Sequence, residues 1–160
     1  MYIPFEEMPK NARVWIYQSN RSFNNREEEL IGTKSEDFLS QWAAHGAQLK
    51  SSFKIFHNKF LIISVDELAA KASGCSIDAS VGLIRTIEQE LGLSFFDRSK
   101  IAFLIDDEVF LHDMTKIKPL VSEGKINDRT LTFNNMVADI AQLENEWLIP
   151  AKDSWLKRYF

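Results

Sequence analysis

A chain of 160 residues, 45% hydrophobic and 12% aromatic, holds enough apolar material for one packed core and lacks the composition of a disordered segment. Its formal charge of -4 and scattered Lys and Arg exclude the clustered basic surface that neutralises phosphates, so nucleic acid is not an expected partner. One cysteine excludes an internal disulfide and a multi-cysteine zinc site. The cysteine usage fits a reducing compartment. There is no basic-then-apolar leader and no apolar run near the ~18 residues that span a bilayer, so the expectation is one soluble, cytoplasmic domain over residues 1–160 with no membrane partner.

The stretch RVWIYQS (Arg13 to Ser19) sets Val14 and Ile16 against Trp15 and Tyr17 and reads as a strand. After a polar loop, Leu30, Ile31, Phe38, Leu39 and Trp42 recur at helical spacing between Glu27 and Ala44. Gly32 and Thr33 break this helix or delay its start to Ser35, and His45-Gly46 is its expected stop. Phe53 with Ile55, then Phe60 to Val65, form two strands joined near His57 to Lys59, where Asn58 tolerates a positive φ. The run FLIISV is apolar almost throughout, which predicts a central strand covered on both faces. Val81, Ile84, Ile87 and Leu91 then make one apolar stripe, with Gly92 as its stop.

KIAFLIDDEVFLHD predicts a hairpin turning at Asp106-Asp107, and MTKIKPLVSEG a short helix limited by Pro119. RTLTFNN reads as a further strand; the tail reads as a helix to about Trp147, a break at Pro150, and a last helical turn or two. The fold class is therefore α+β, a mainly antiparallel sheet with helices packed on one face. The order strand, helix, strand, strand, helix, strand over residues 13–105 is that of a ferredoxin-like split βαβ core, followed by a C-terminal strand and helix.

The stretches RVWIYQSNR, WAAHG, ASGCSIDASV, FFDR, LTFNN and PAKDSW together resemble a family of uncharacterised bacterial proteins of about this length. Some members carry the automatic label of an ABC transporter ATPase. That label implies a GxxxxGK[ST] loop whose backbone amides cradle phosphates. Here the only Gly-Lys pair, Gly124-Lys125, is followed by Ile126, and GTKS at Gly32 lacks the upstream glycine, so the residues do not support the label.

Among candidate sites, Cys75 stands where a helix start would stabilise a thiolate, with His45 or His57 as its base; the plainer reading is a small hydrophobe beside a cap. Ser76 is the expected cap, bonding the amide of Ala79, and Asp78 is expected in the first turn, where its charge opposes a thiolate. The loop Ser73, Gly74, Ser76 and Asp78 is also a candidate anion cradle, with Arg98 and Lys71 adding charge. Asp66 and Glu67 read as turn carboxylates before they read, with Asp78, as a cation site. His45, His57 and His112 lack the spacing of a metal-binding helix, and no cofactor is implied.

Trp155, Leu156, Tyr159 and Phe160 crowd a short tail that cannot bury them alone, so it must dock on the domain or on a partner. The functional expectation is a noncatalytic module that binds another protein or itself. The alternative is a small-ligand binder or thiol enzyme using residues 73–78.

Overall fold

The computed structural model describes residues 1–160 and divides into two compact units, Met1–Phe96 with Ala138–Ala141, and Asp97–Val137 with Gln142–Phe160. The fold is α+β with mainly antiparallel sheets. In the first unit β1 (Arg13–Gln18) leads to α1 (Asn25–Gln41), the two-residue strands β2 (Ala43–Ala44) and β3 (Ala47–Gln48), the hairpin of β4 (Lys50–Phe56) and β5 (Phe60–Asp66), and α2 (Gly74–Leu91).

The first helix begins earlier than its periodicity suggests. Asn24 caps it by accepting the Glu27 N–H at 2.8 Å, while the Glu27 carboxylate accepts the Asn24 N–H at 3.1 Å. Arg21 clamps that carboxylate with bonds of 2.9 and 2.7 Å. Gly32 lies inside the helix rather than breaking it. A glycine there costs about 1 kcal/mol relative to alanine. Fully burying Ile31 and Leu39 on the same helix returns roughly 1.5–3 kcal/mol each, so packing overrides the local preference.

The helix also ends sooner, at Gln41; His45 and Gly46 are not its stop but the turn between β2 and β3. Both have positive φ, 50° and 79°. The Leu49 N–H donates to the Trp42 carbonyl at 2.9 Å and closes this excursion.

The sheet order is β1-β5-β4, with β5 antiparallel to both neighbours. β1 and β4 are thus parallel to each other with β5 between them, the arrangement of a split βαβ unit. Every residue from Phe60 to Asp66 is buried, as a central strand requires. Trp15, Tyr17, Leu61, Ile63, Val65, Phe53 and Ile55 share one face and pack with Ile31 and Leu39 of α1 and Leu83, Ile84 and Ile87 of α2. Both long helices therefore cover the same face.

The fourth strand of the ferredoxin-like pattern does not join this sheet. The free edge of β1 is met instead by residues 138–141: Val14 N–H donates to Ala138 O at 2.9 Å, Ile140 N–H to Ala12 O at 3.1 Å, and Arg13 bridges Asp139.

In the second unit β6 (Lys100–Ile105) and β7 (Glu108–Asp113) form a hairpin, and β8 (Leu131–Phe133) and β9 (Leu148–Pro150) complete a sheet ordered β7-β6-β8-β9. Pro150 ends a strand, where the sequence suggested only a break. The helices are α3 (Ile117–Ser122), following a 3-10 turn at Met114–Lys116, and α4 (Ile140–Glu146), which starts in the first unit's residues. Ile101, Phe103, Ile117, Ile126 and Leu156 make this unit's core.

Both tight hairpins turn without glycine. Asp106 and Asp107 (φ 51° and 63°) are the two residues between the paired Ile105 and Glu108, the two-residue connection that takes a positive φ at both positions, whereas His57 and Asn58 (φ 53° and 46°) belong to a three-residue connection, His57 to Lys59, between the paired Phe56 and Phe60.

Candidate functional site

Ser73, not Ser76, caps α2. The Ser76 N–H donates to Ser73 Oγ at 3.2 Å, and the Ser73 N–H donates to Ser76 Oγ at 2.7 Å, so the two serines cap each other. With the helix starting at Gly74, Asp78 falls in the second turn and is exposed, and no acidic residue stands in the first turn. Asp78 is thus not the first-turn acid that the sequence suggested, although it stands three residues from Cys75 on the same helix.

Cys75 is exposed, and its sulfur makes no hydrogen bond. His45 is exposed at the β2–β3 turn and is not hydrogen-bonded to it. The group that reaches the helix start from that side is Trp42, whose indole N–H donates to the Ser76 carbonyl at 2.8 Å. The proposed anion cradle is short of donors as well. The amides of Ser73 and Ser76 serve the capping box and that of Ile77 donates to Ser73 O at 2.9 Å, leaving those of Gly74 and Cys75. Arg98 belongs to the second unit, where it is exposed beside the Asp97–Ser99 turn.

Asp66 and Glu67 act as turn carboxylates: Asp66 Oδ1 accepts the Leu68 N–H at 3.1 Å and Glu67 Oε2 the Ala72 N–H at 2.9 Å. No three His, Cys, Asp or Glu side chains converge in a metal-binding group. Burial, followed by the Lys59 charge, pushes the His57 imidazole below its usual pKa. His112 is lowered by burial and then by Lys125.

Gly124-Lys125 follows the end of α3, with the Gly124 N–H donating to Val121 O at 3.0 Å and the Lys125 N–H to Leu120 O at 3.0 Å. A phosphate loop precedes a helix, so that its amides point at the anion. Gly32, of GTKS, lies inside α1.

The C-terminal tail separates into two parts. Leu156 is 0% exposed in the second unit's core and Tyr159 packs against that core, so the tail docks on its own chain. Trp155 and Phe160 stay 52% and 40% exposed. The Arg158 guanidinium lies 5.5 Å from the Trp155 ring centre and 5.0 Å from that of Tyr159.

A concave feature of the first unit lies elsewhere, along β4. The Ser51 N–H donates to Met1 O and its carbonyl accepts the Ile3 N–H, both at 2.9 Å, so Ser51 turns its backbone away from β5. Hydrogen-bonding direction alternates along a strand, so Phe53 and Ile55 also face outward. No strand or backbone group pairs with them on that side. The N-terminal segment cannot continue along the edge, because Pro4 leads into a 3-10 turn, Phe5–Glu7.

Between that turn and α1 opens a groove of about 750 Å³ lined by Tyr2, Phe5, Gly32, Phe53 and Ile55, with Arg26, Glu28 and Glu29 among its polar walls. Tyr2 stacks on Phe53 with ring centres 5.6 Å apart. A Cβ on Gly32 would lie 3.8 Å from Phe53 Cζ, so the glycine leaves the ring uncovered. Burial first, then the charges of Glu36 and Glu6, raise the Tyr2 phenol above its ordinary pKa. Sequence reading passed over this groove. Its one local signal, a glycine amid charged residues in a helical pattern, reads equally well as a helix breaker.

Set beside protein-family models, curated proteins and solved structures, the chain matches none of them.

Proposed function

We propose that this protein is a noncatalytic interaction module that takes an extended segment of a partner protein along the outer edge of β4. The observation that carries the reading is the pair of outward-facing, unpaired backbone positions at Phe53 and Ile55 on the floor of a 750 Å³ groove. A guest strand there makes main-chain bonds to the edge and places alternate side chains over Phe53 and Gly32, the mode by which sheet edges recognise peptides. The single exposed cysteine fits a cytoplasmic setting.

Ile55→Pro tests the proposal. The Ile55 N–H points away from β5, so proline there removes a donor from the outer edge and none from the ladder. A displayed peptide library selected on the wild-type chain is expected to yield binders that lose at least about tenfold in affinity for the variant. No enrichment, or equal affinity for both proteins, refutes the reading.

Self-association through the tail is the second reading, favoured by the exposure of Trp155. Because Leu156 is core, truncation would unfold the second unit; Trp155→Ser with Phe160→Ser is the cleaner perturbation. A monomeric mass by light scattering for both wild type and the double variant sinks it.

A further inference from the structure

The geometry points to a basic peptide, lysine or arginine alternating with apolar residues, as the segment that the β4 groove accepts, an inference that rests on the edge reading above. The groove's floor is apolar and its surroundings are acidic. Glu6, Glu28 and Glu29 line it. Glu36 stands one turn beyond Gly32 on α1 and acts on the Tyr2 phenol from there.

Two cations line the groove beside these carboxylates, Arg26 and Lys54, and one of them is committed; the Met1 ammonium nearby is turned to the Leu39 and Leu49 carbonyls at 3.4 and 2.7 Å. Lys54 Nζ binds Glu6 at 3.0 Å and lies 5.2 Å from the Phe56 ring centre, so its charge is answered within the fold. Arg26, Glu28, Glu29 and Glu36 have no ion-pair partner, which leaves three free carboxylates against one free guanidinium. Glu29 and Glu36 are seven residues apart, about 10.5 Å along the helix, which is the reach of roughly three residues of an extended chain. A guest strand on β4 therefore passes carboxylates on the α1 wall while its apolar side chains face Phe53 and Ile55. Complementary charge of this kind selects among partners and speeds their encounter.

The test uses the full chain and three capped peptides of about ten residues that alternate valine with lysine, serine or glutamate. Affinities come from fluorescence polarisation, and binding is placed by the amide shifts of Phe53 and Ile55. The lysine peptide is expected to bind about tenfold or more tighter than the glutamate peptide, with serine between, and the spread to shrink as salt rises from about 20 to about 500 mM. Glu28→Gln with Glu29→Gln is expected to reduce the lysine preference and keep the serine peptide's affinity, with circular dichroism confirming that α1 persists; an undiminished preference overturns the assignment of these carboxylates. Equal binding of all three peptides at the edge overturns the charge preference and leaves the edge reading standing. Absence of shifts at Phe53 and Ile55, or a lysine peptide bound equally by Ile55→Pro, overturns both.

Discussion

Replacing Gly32 by alanine should stabilise the protein, and the size of the gain is set by what surrounds that position. Alanine in a helix interior is better than glycine by about 0.8–1.0 kcal/mol, through backbone entropy lost by the unfolded chain. The new Cβ meets Phe53 Cζ at 3.8 Å and Cε2 at 4.0 Å, ordinary contact distances that add about 0.1–0.2 kcal/mol for each atom pair. The total is about 1–1.4 kcal/mol. Gly82 in α2 is the matched control, since its Cβ would meet nothing within 4 Å and Gly82→Ala should return only the propensity term of about 0.8–1.0 kcal/mol. At roughly 2–4 °C per kcal/mol for a chain of this size, both variants should raise Tm by a few degrees in a calorimeter, Gly32→Ala by slightly more. A lower Tm for Gly32→Ala beside a raised one for Gly82→Ala would refute both the continuity of α1 through Gly32 and the openness of the groove above Phe53. Leucine at the same place should instead fill the groove and block peptide binding.

Three further outcomes are expected. Ser52 and Ser64 face each other across β4 and β5, fully buried and with no hydrogen bond to either hydroxyl, so Ser64→Ala should raise unfolding free energy by up to about 1 kcal/mol in urea titration; a loss would mean that the hydroxyl is satisfied. The Glu27 carboxyl is held down to about 2 by the Arg21 hydrogen bonds first and the Asn24 amide next, so its contribution is complete above the ordinary value of 4.5 and is lost as pH falls toward 2. The Tm gap between wild type and Glu27→Gln should close over that window, and a gap unchanged between pH 6 and roughly pH 2 would contradict the assignment. Leu156→Ala should cost about 2–5 kcal/mol and Trp155→Ala less than about 0.5 kcal/mol by chemical denaturation, because one is core and the other half exposed; similar costs would place the tail differently.

Features set by a few adjacent residues are legible in the sequence. The apolar run from Phe60 to Val65, the stop at Gly92 (φ 63°) and the turns at His57-Asn58 and Asp106-Asp107 each follow from a few adjacent residues whose geometry nothing distant overrides. Local preference misleads where packing competes with it. Gly32 looked like a breaker because propensity counts its cost and cannot count the burial of Ile31 and Leu39. Ser76 looked like the cap because a serine at the third helical position closes the Ser73 box in place of the usual Glu or Gln. β6 pairs with β7 and β8 rather than β1, a choice among partners far apart in sequence that no local pattern encodes. The groove depends on three such distant placements, the N-terminal turn, α1 and β4, which is why its residues carry no motif.

The pairing of residues 138–141 with the start of β1 has a temporal meaning. A ribosome delivers both long helices and all three strands of the first sheet before it delivers Ala138. For the time needed to synthesise the intervening stretch, at about 5–20 residues per second, the nascent sheet holds an unpaired β1 edge beside the β4 edge. The N-terminal residues that pair with Ser51 are made before β4 itself, so that stretch of the β4 edge is covered as it forms, while the start of β1 waits. Chains stalled or cleaved before Ala138 thus expose the start of β1 in addition to the β4 edge, and their aggregation should mark the order in which this protein is built.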